Sequence, residues 1–539
     1  MQEGSFIWGH LERQHRAVDK WIDGLWLVVL LIAALLLFSV NLGGLPLHDW
    51  DEGTVAQIAK EIARESFDSL RWLYPTLRGE GYYHTPPLMH ILIAGAYSLG
   101  GVSEWTTRLP GAILTAFSVP LLYCLARELF RQRWGAIYSA LIYLTMLPVV
   151  RYGRLAMLDG AVVSFLLVMM LCVLRSRRDL RYCLGIGLSL GLICLTQGLS
   201  GFLLGAVVLV FLFWDTPRLL NSYYLWIAIA IGLLPVTGWY GAQLLRYGAN
   251  FAYNGFLIPL QQQIGILSSK NTQPLWFYIL ELLKWTWPWL IFLPQTAKLL
   301  WENRNLSWAR LLIVWSGVYL LLISLISTKL AWHIFPIYPS LALAFGAQLA
   351  EIENLPLLSS YPRGWVAGLS MLAVVASAAS IHFSWGIAAK TDLQLIFAAV
   401  ALTMIMGAIL AERGDGQFLK ILFWGSYISL LLLMKSNYWV WEIWQAYPVK
   451  PVAAMIQQVN PPIKQVYTSF ANYRPSLDFY SDRHIIPVSM EELQYRWRYD
   501  RQPYLLINTV DLKRLQLDSI KPLAKAEGWV LITKETHRL

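Results

Sequence analysis

Long apolar runs recur along most of this 539-residue chain, separated by short polar connections. A helix needs about 20 apolar residues to cross a hydrocarbon core of about 30 Å. About thirteen runs approach that length, so the pattern predicts a mostly α, polytopic membrane protein. The predicted transmembrane helices lie near residues 25–41, 106–127, 134–150, 158–174, 182–196, 199–214, 222–245, 276–298, 310–327, 332–350, 365–384, 392–411 and 419–440.

One apolar run, at residues 88–99, is too short to cross the membrane and is predicted to be interfacial. With this run left out of the count, the arginines of 127–133 and those of 175–181 fall on one side, as the positive-inside rule requires. The N-terminus is then cytoplasmic. Loops 42–105 and 246–275 and the C-terminal tail are predicted to lie outside, with interfacial helices in the first of these loops.

The hydrophobic pattern changes at about residue 448. Apolar runs shrink to four or five residues and alternate with helix-like stretches, which is typical of a small α/β domain. Strands are expected in QVYTS, HIIPVS, YLLIN and WVLIT, and helices in PVAAMIQQV and MEELQYRWRY. We therefore divide the chain into a transmembrane domain at 1–447 and an extracytoplasmic α/β domain at 448–539.

Composition supports the membrane assignment: 57% of the residues are hydrophobic, 14% are charged and the mean hydropathy is +0.48. A water-soluble globule needs a more polar surface. The net charge of +10 is spread over short loops, so it indicates orientation and not a nucleic-acid-binding face. The sequence has no Walker loop, no dinucleotide-binding GxGxxG and no HExxH, and therefore gives no support for nucleotide hydrolysis or zincin chemistry.

Three carboxylates, Asp49, Asp51 and Glu52, crowd into four residues at the start of the first outer loop. Carboxylates are costly within lipid, so they are expected at the interface or in a wet cavity, where they suit a general base or a metal site. The structural alternative is that Asp51 caps, or lies in the first turn of, an amphipathic helix at 52–65. Both readings stay open on spacing alone.

The segment GYYHTPPL at 81–88 places two prolines after His84 and Thr85. A proline pair gives a rigid entry into the interfacial helix, which is its structural explanation. His84 is also a candidate for a contact to a lipid head group or a substrate.

The order of these motifs resembles a known family, the lipid-A aminoarabinose transferases, together with the dolichyl-phosphate-mannose protein mannosyltransferases, both of the GT-C superfamily. The likeness is strongest over about residues 45–200 and is carried by DE before an amphipathic helix, the PPL motif, GVSEWTTRLPGA (101–112) and RYGRLAMLDG (151–160). It continues more weakly in QPLWFYILELLKWTWPWLIFLP (273–294) and STKLAWHIFPIYPSLAL (327–343). The resemblance implies a GT-C fold and inverting transfer of a sugar from a polyprenyl-phosphate donor to a lipid, glycan or protein acceptor.

The resemblance also implies roles for particular residues. Asp51 matches the catalytic base, Glu52 its neighbour and Asp159 a second acidic position, and we predict these three as catalytic. The predicted substrate-binding residues are His84, Thr85, Arg154, Gln197, Lys329 and Tyr338.

Two of these positions depart from the aminoarabinose transferases, which have lysine where this chain has Thr85 and Gln197. Each charge-assisted bond to a phosphate contributes about 1.5–3 kcal/mol, so other cations must hold the donor. Arg154 is the preferred candidate, with Lys329 as its helper. The alternative for Arg154 is a structural pair with Asp159, one helical turn away.

The resemblance requires no cofactor, although the closely spaced Asp49 and Asp51 would permit a divalent metal. The expected partners are the lipid-linked donor, the acceptor and membrane lipids, and no nucleic acid. The expected location is a prokaryotic inner membrane with the active site on the outer face. Two other classes are weighed: a polyprenyl-lipid transporter, which would usually have paired repeats and broken helices that the sequence does not indicate, and a non-catalytic lipid-binding relative, which the two missing lysines leave open.

Overall fold

The structure is a computed structural model that describes residues 3–258, 260–261, 273–354, 360–385, 389–440, 448–515 and 517–535. The chain divides into two compact units, each described separately here. The helical unit comprises Met1–Asn41, Tyr83–Leu88 and Gly111–Trp439, and the mixed unit comprises Leu42–Tyr82, Met89–Pro110 and Val440–Leu539. The mixed unit thus combines much of the predicted outer loop with the C-terminal segment, while the predicted boundary at residue 448 stays a prediction.

Helices dominate the described part of the chain. In chain order the α-helices are α1 (Glu3–Ser39), α2 (Asp51–Arg64), α3 (Leu88–Gly100), α4 (Glu104–Leu129), α5 (Arg133–Leu144), α6 (Leu147–Arg154), α7 (Asp159–Arg175), α8 (Cys183–Gln197), α9 (Gly201–Asp215), α10 (Pro217–Leu220), α11 (Tyr223–Asn250), α12 (Phe277–Trp285), α13 (Leu293–Glu302), α14 (Ser307–Leu325), α15 (Tyr338–Ala350), α16 (Arg363–His382), α17 (Thr391–Glu412), α18 (Phe418–Lys435), α19 (Val449–Val459), α20 (Pro475–Ser481), α21 (Met490–Tyr499) and α22 (Thr509–Leu515).

Short 3-10 helices lie at Phe67–Ser69, Leu180–Tyr182, Gly198–Ser200, Trp289–Phe292, Ala331–Ile337 and Glu351–Asn354, and a π-helix lies at Phe251–Leu257. The strands are β1 (Thr76–Leu77), β2 (Glu80–Gly81), β3 (Gln465–Thr468), β4 (His484–Pro487), β5 (Leu505–Asn508), β6 (Ile520–Ala526) and β7 (Trp529–Lys534).

Eight helices in the described ranges are long and apolar enough to cross a membrane, or nine if the bent pair α5 and α6 counts as one span. The chain is therefore a multi-pass membrane protein, and the figure of about thirteen spans stays a prediction. Several predicted spans are interrupted. The run 134–150 bends by 58° between α5 and α6, where Pro148 lies in the first turn of the new helix. The run 276–298 is broken around Pro288, whose missing N–H cannot continue a helical ladder.

In the helical unit, α8 and α11 approach each other through glycines. A Cβ added to Gly187 would overlap the Ala228 carbonyl, and one added to Gly191 or Gly232 would overlap backbone of the facing helix. Small residues at such crossings let transmembrane backbones come close. Gly187, Gly191 and Gly232 therefore permit the close approach of these two helices.

Both helices predicted in the first outer loop are present. α2 has 14 residues, and its apolar face includes Val55, Ala56 and Ala59, which pack with Ile93 of α3 and with Phe479. α3 has 13 residues and is about 20 Å long at 1.5 Å per residue, less than the thickness of a bilayer core. Its orientation parallel to the membrane stays a prediction.

The C-terminal part of the mixed unit is a five-stranded sheet in the order β4-β3-β5-β7-β6. β3 pairs in parallel with β4 and β5, whereas β7 pairs antiparallel with β5 and β6. The four predicted strands and both predicted helices are confirmed. The sequence missed edge strand β6, where Lys521, Pro522 and Lys525 interrupt the apolar pattern; lysine and proline are common on exposed sheet edges.

Candidate active site

The accessible carboxylate at the start of the outer loop is Asp51, the first residue of α2. Its side chain is 26% exposed, and Oδ2 lies 3.4 Å from Nδ1 of His48. The positive end of the helix dipole favours a carboxylate at this position. Asp51 is thus a first-turn anion, as the structural alternative expected, and its role as a catalytic base stays a prediction.

Glu52, the next residue, is fully buried in a bidentate ion pair with Arg108 of α4. Arg108 Nε donates to Glu52 Oε1 at 2.8 Å and Nη2 donates to Oε2 at 2.7 Å. The three remaining N–H groups of Arg108 reach the carbonyls of Leu42, Leu45 and Pro46 at 2.8–2.9 Å. All five guanidinium donors are therefore used. The pair fixes the turn that carries Asp51, and the catalytic role expected of Glu52 stays a prediction.

Asp49 anchors this turn to the C-terminal part of the mixed unit. Its Oδ1 accepts hydrogen bonds from the backbone N–H and the hydroxyl of Ser476, and its Oδ2 lies 3.5 Å from Arg474. Asp49 is thus engaged with protein groups. Among the residues that the structure describes, no cluster of three or more His, Cys, Asp or Glu side chains is arranged to hold a metal ion.

A second group of candidates meets in the helical unit. Asp159 begins α7, and its Oδ1 accepts a hydrogen bond of 2.8 Å from Nε2 of Gln197, the last residue of α8. The following Gly198 has φ 68°, and a Cβ there would lie 3.4 Å from Pro86 Cδ. The segments that carry Thr85 and Gln197 therefore come together, so both positions that depart from the family pattern belong to one region.

His84 precedes Thr85 in this segment. Its ring is 5.6 Å from that of Tyr83, and burial lowers the pKa of His84 below its ordinary 6.5. Burial thus favours the neutral imidazole, and a charged contact of His84 to phosphate stays a prediction. His84 remains a candidate for hydrogen bonding to a substrate.

Arg154 is fully buried and contacts the C-terminal end of α1. Its Nη1 donates to the Leu37 carbonyl at 2.7 Å, its Nη2 donates to the Val40 carbonyl, and its guanidinium lies 4.5 Å from the Trp439 ring centroid. Cations commonly satisfy the last carbonyls of a helix. These bonds give Arg154 a structural function at α1, while its contact to a donor phosphate stays a prediction.

Lys329 and Tyr338, from the STKL and YP motifs, lie before and at the start of α15. Tyr338 is 1% exposed and packs edge-on against Phe335 at 6.1 Å. Lys329 is 6% exposed, and Nζ donates to the Ile326 carbonyl at 2.8 Å. No carboxylate pairs with Lys329 within the described ranges of the chain. Lys329 is therefore a buried cation whose charge no described side chain neutralises.

The sequence analysis assigned no role to His48 or Arg108. Arg108 could have been found, because an arginine at the start of an apolar run is costly in lipid and requires a partner. Its partner could not be read from the sequence, since Glu52 is 56 residues away. For His48, the only signal in the sequence was that a titratable side chain directly precedes the acidic cluster.

Comparison with known proteins agrees with this architecture. Residues 84–240 match the family described as dolichyl-phosphate-mannose-protein mannosyltransferase. The chain also superposes on ArnT from Cupriavidus metallidurans bound to undecaprenyl phosphate, with a TM-score of 0.77 and 18% sequence identity over 94% of this chain and 98% of that one. This is the GT-C fold.

Among curated proteins, this chain resembles the undecaprenyl phosphate-alpha-4-amino-4-deoxy-L-arabinose arabinosyl transferases. The enzyme of Pectobacterium carotovorum is 27% identical over 352 residues, which are 62% of this chain and 61% of that protein. The enzyme of Aeromonas hydrophila is 28% identical over 348 residues, 63% of each chain. The chain thus matches about three fifths of the length of these relatives.

Proposed function

We propose that this protein is an inverting glycosyltransferase, which moves a sugar from a polyprenyl-phosphate donor to a lipid, glycan or protein acceptor. The proposed location is a prokaryotic inner membrane, with the reaction on its outer face. The relatives' names support this activity, because they describe transferases that act with an undecaprenyl-phosphate-linked sugar.

The observation that carries the proposal is the buried ammonium of Lys329. An uncompensated charge in the protein interior costs several kcal/mol, which is comparable to the total free energy of unfolding of a typical domain. A phosphate diester supplies the missing negative charge, and it gains charge as the sugar departs. We therefore assign the donor phosphate to Lys329, in the role that lysines at positions 85 and 197 would otherwise share.

Asp51 acts as the base in this proposal. Its carboxylate takes the proton of the acceptor hydroxyl while the acceptor oxygen forms a bond to the anomeric carbon. The bond from that carbon to the phosphate oxygen breaks, and its electron pair leaves on the polyprenyl phosphate. A positioned base usually contributes about 10²–10⁴ in rate. Glu52 acts indirectly, as a positioning residue that holds the Asp51 turn through Arg108.

The first test compares Asp51→Asn with Asp68→Asn, which makes the same chemical change at an exposed residue of the same loop. Asp51→Asn should reduce transfer from an undecaprenyl-phosphate-linked sugar at least 10²-fold, because an amide cannot accept the proton. Asp68→Asn should leave the rate unchanged. If the folded Asp51→Asn variant has near wild-type turnover, Asp51 is not the base and serves only to stabilise the start of α2.

The second test concerns the donor. Lys329→Gln should weaken binding of undecaprenyl phosphate about tenfold or more, as expected for loss of a charge-assisted bond of about 1.5–3 kcal/mol. Lys420→Gln, at an exposed lysine of α18, is the control and should bind normally. Equal affinity of both variants would contradict the assignment of Lys329.

The non-catalytic alternative rests on the neutral side chains of Thr85 and Gln197. Gln197 holds Asp159 by a hydrogen bond where the related transferases have a cation, so the region could hold a lipid without turning it over. Two results together would favour this alternative. The wild-type protein would bind undecaprenyl phosphate without transferring sugar, and the Asp51→Asn variant would bind undecaprenyl phosphate with the same affinity.

A further inference from the structure

The mixed unit contains a polar cavity at the C-terminal end of α2. It has a volume of about 230 Å³ and is lined by the last turns of α2, the β1–β2 connection, and the residues around the start of β3 and β4. A single water needs only about 10–15 Å³ by the same measure, so there is room for a group the size of a monosaccharide. The lining residues of α2 begin at Gln57, six residues from Asp51 or about 9 Å along the helix, and extend away from Asp51 to Arg64. The cavity is therefore separate from the proposed base.

The carboxylates of the cavity are already satisfied by protein groups. Glu61 accepts hydrogen bonds from Thr76 Oγ1 at 2.6 Å and from the Arg78 backbone N–H at 2.7 Å. Asp478 is buried and accepts from Arg78 Nε at 3.0 Å and from Tyr473 Oη at 3.0 Å. The lining anions thus have little capacity left for a metal ion or a cationic ligand.

Two further carboxylates line the cavity: Glu65 lies 4.0 Å from Arg71 Nη2, and Asp482 is shared by two cations. Its Oδ1 lies 2.7 Å from Arg64 Nη1 and 3.3 Å from Lys60 Nζ. These contacts lower the pKa of Asp482 to about 2 against the effect of burial, so it stays ionised.

Two cations of the lining lack such a counter-charge. Lys464 and Arg483 pair with no carboxylate side chain in the part of the chain that the structure describes. Arg483 Nη2 donates to Asn460 Oδ1 at 2.6 Å, and its Nε has no hydrogen-bond partner among the residues that the structure describes. Next to them, Nδ1 of His484 is buried and has no partner in the described ranges, and burial together with nearby Arg78 and Lys464 lowers the pKa of His484. The cavity therefore has a positive end suited to an anion.

A neutral acceptor faces the same cavity. Gln57 is 6% exposed, its Nε2 donates to Glu61 Oε1 at 3.1 Å, and its Oε1 is buried with no hydrogen-bond partner among the described residues. Leaving a buried acceptor of this kind unsatisfied is unfavourable. A hydroxyl group of a ligand would satisfy it, whereas a simple phosphate ion offers few donors.

From this juxtaposition we propose that the cavity between the C-terminal end of α2 and the start of β4 binds a phosphorylated saccharide. The phosphate contacts Lys464 and Arg483, and a sugar hydroxyl donates to Gln57. The ligand is either a phosphosugar carried on a lipid or a soluble sugar phosphate, since both present the same chemistry. This binding does not depend on transfer at Asp51.

Isothermal titration of the intact protein in detergent tests the proposal with glucose 6-phosphate as the probe, and with glucose and inorganic phosphate for comparison. Glucose 6-phosphate should bind at least tenfold more tightly than either, because only it engages both ends of the cavity. Lys464→Gln should weaken its binding at least fivefold. Lys464 is exposed and its side chain makes no described hydrogen bond, so folding should be unaffected, and Lys521→Gln on β6 is the matched control that should bind normally.

A second titrant, a synthetic glycolipid with a phosphate on its sugar, separates the two sources. Tighter binding of the glycolipid points to a lipid-linked ligand, and equal binding points to a soluble one. Gln57→Leu should weaken the binding of glucose 6-phosphate and leave the binding of inorganic phosphate unchanged. The proposal is overturned if neither sugar phosphate binds, if inorganic phosphate binds as tightly as glucose 6-phosphate, or if Lys464→Gln and Lys521→Gln behave alike. Asp51→Asn should bind these probes normally, so loss of transfer and loss of this site are distinguishable.

Discussion

Arg108 joins three stretches of the mixed unit through one side chain: the start of α4, the first turn of α2, and the segment 42–46. Every N–H of its guanidinium has an acceptor, and two of them reach a carboxylate that is itself fully buried. The planar fork of arginine makes this possible, and a lysine would supply neither the number nor the geometry of donors. The turn carrying Asp51 is thus held by charge as well as by packing.

We predict that Arg108→Met destabilises the protein by about 3–5 kcal/mol, because it leaves Glu52 ionised and unpaired in the interior. The double variant Glu52→Gln/Arg108→Met should recover part of this loss. Thermal unfolding in detergent measures both. Arg64→Met, which breaks an exposed ion pair with Asp482, is the comparison and should cost no more than about 1 kcal/mol. A single Arg108→Met variant as stable as Arg64→Met would refute the structural role.

Asp478 gives a prediction about pH. Burial raises the pKa of Asp478 to about 6, despite the opposing effect of Arg78. The folded protein therefore holds this proton more tightly than the unfolded chain, whose aspartates titrate near 3.8. The contribution of Asp478 to the free energy of unfolding falls as pH rises from about 4 to about 6, by roughly 3 kcal/mol at 1.36 kcal/mol per unit. Above that range the penalty is constant.

Asp478→Asn, which mimics the protonated carboxyl, should remove this pH dependence. The difference in unfolding temperature between Asp478→Asn and wild type should grow in favour of the variant between pH 4 and pH 6, whereas Asp68→Asn should give a flat difference. A flat difference for Asp478→Asn as well would mean that the carboxylate is already ionised at low pH.

For single residues, the sequence predicted the place of a residue in its helix better than it predicted which other residues that side chain contacts. Asp51 and Asp159 were expected near the starts of helices, and each begins one. The bonds of Glu52 to Arg108 and of Arg154 to the end of α1 join residues 56 and more than 100 positions apart. Periodicity and spacing report only local geometry, so such contacts lie beyond them.

Among the elements, the crossing of α8 and α11 depends on the absence of side chains. Gly232→Val should lower the unfolding temperature strongly, since its side chain would meet the backbone of Gly187 and overpacking typically costs about 1–3 kcal/mol or more. Gly238 lies on the same helix, and a Cβ added there has no heavy atom within 4 Å. Gly238→Val should therefore change the free energy of unfolding by no more than about 0.5 kcal/mol. Equal effects of the two substitutions would mean that the close approach is not required.

The elements themselves were largely predictable. The amphipathic helix expected at 52–65 is α2, at Asp51–Arg64, because its apolar positions follow the helical period. Breaks within apolar runs were harder, since hydrophobicity alone does not distinguish a straight span from the bent pair α5 and α6. Strand β6 was missed because an edge strand has no need of an apolar pattern on both faces.

For the whole molecule, the predicted topology puts the loop at 175–181 in the cytoplasm and the C-terminal segment outside. In a variant without native cysteines, Arg178→Cys should be protected from an impermeant thiol reagent in intact cells, and Lys464→Cys should be labelled. Both positions are exposed, so solvent access does not favour either one. Labelling of both, or of Arg178→Cys alone, would mean that the count of spans is wrong.

The division into units was the least predictable feature. The change in composition at residue 448 was visible, but nothing in the pattern indicated that Leu42–Tyr82 and Met89–Pro110 belong with the C-terminal segment. That assignment depends on contacts such as those of Asp49 with Ser476 and of Lys60 with the Phe479 carbonyl, which are more than 400 residues apart in sequence.

The packing of Phe479 against α2 and α3 has a consequence for biosynthesis. Val55, Ala59 and Ile93 are made early, and the aromatic ring that covers them is made roughly 390–420 residues later, which at about 5–20 residues per second is about 20–85 s of translation. During that interval the apolar face of α2 has no Phe479 to pack against. The packing of this loop can therefore be completed only after the C-terminal segment has been synthesised. Chains that stop before Phe479 should be recognised by the cell as unfinished and degraded.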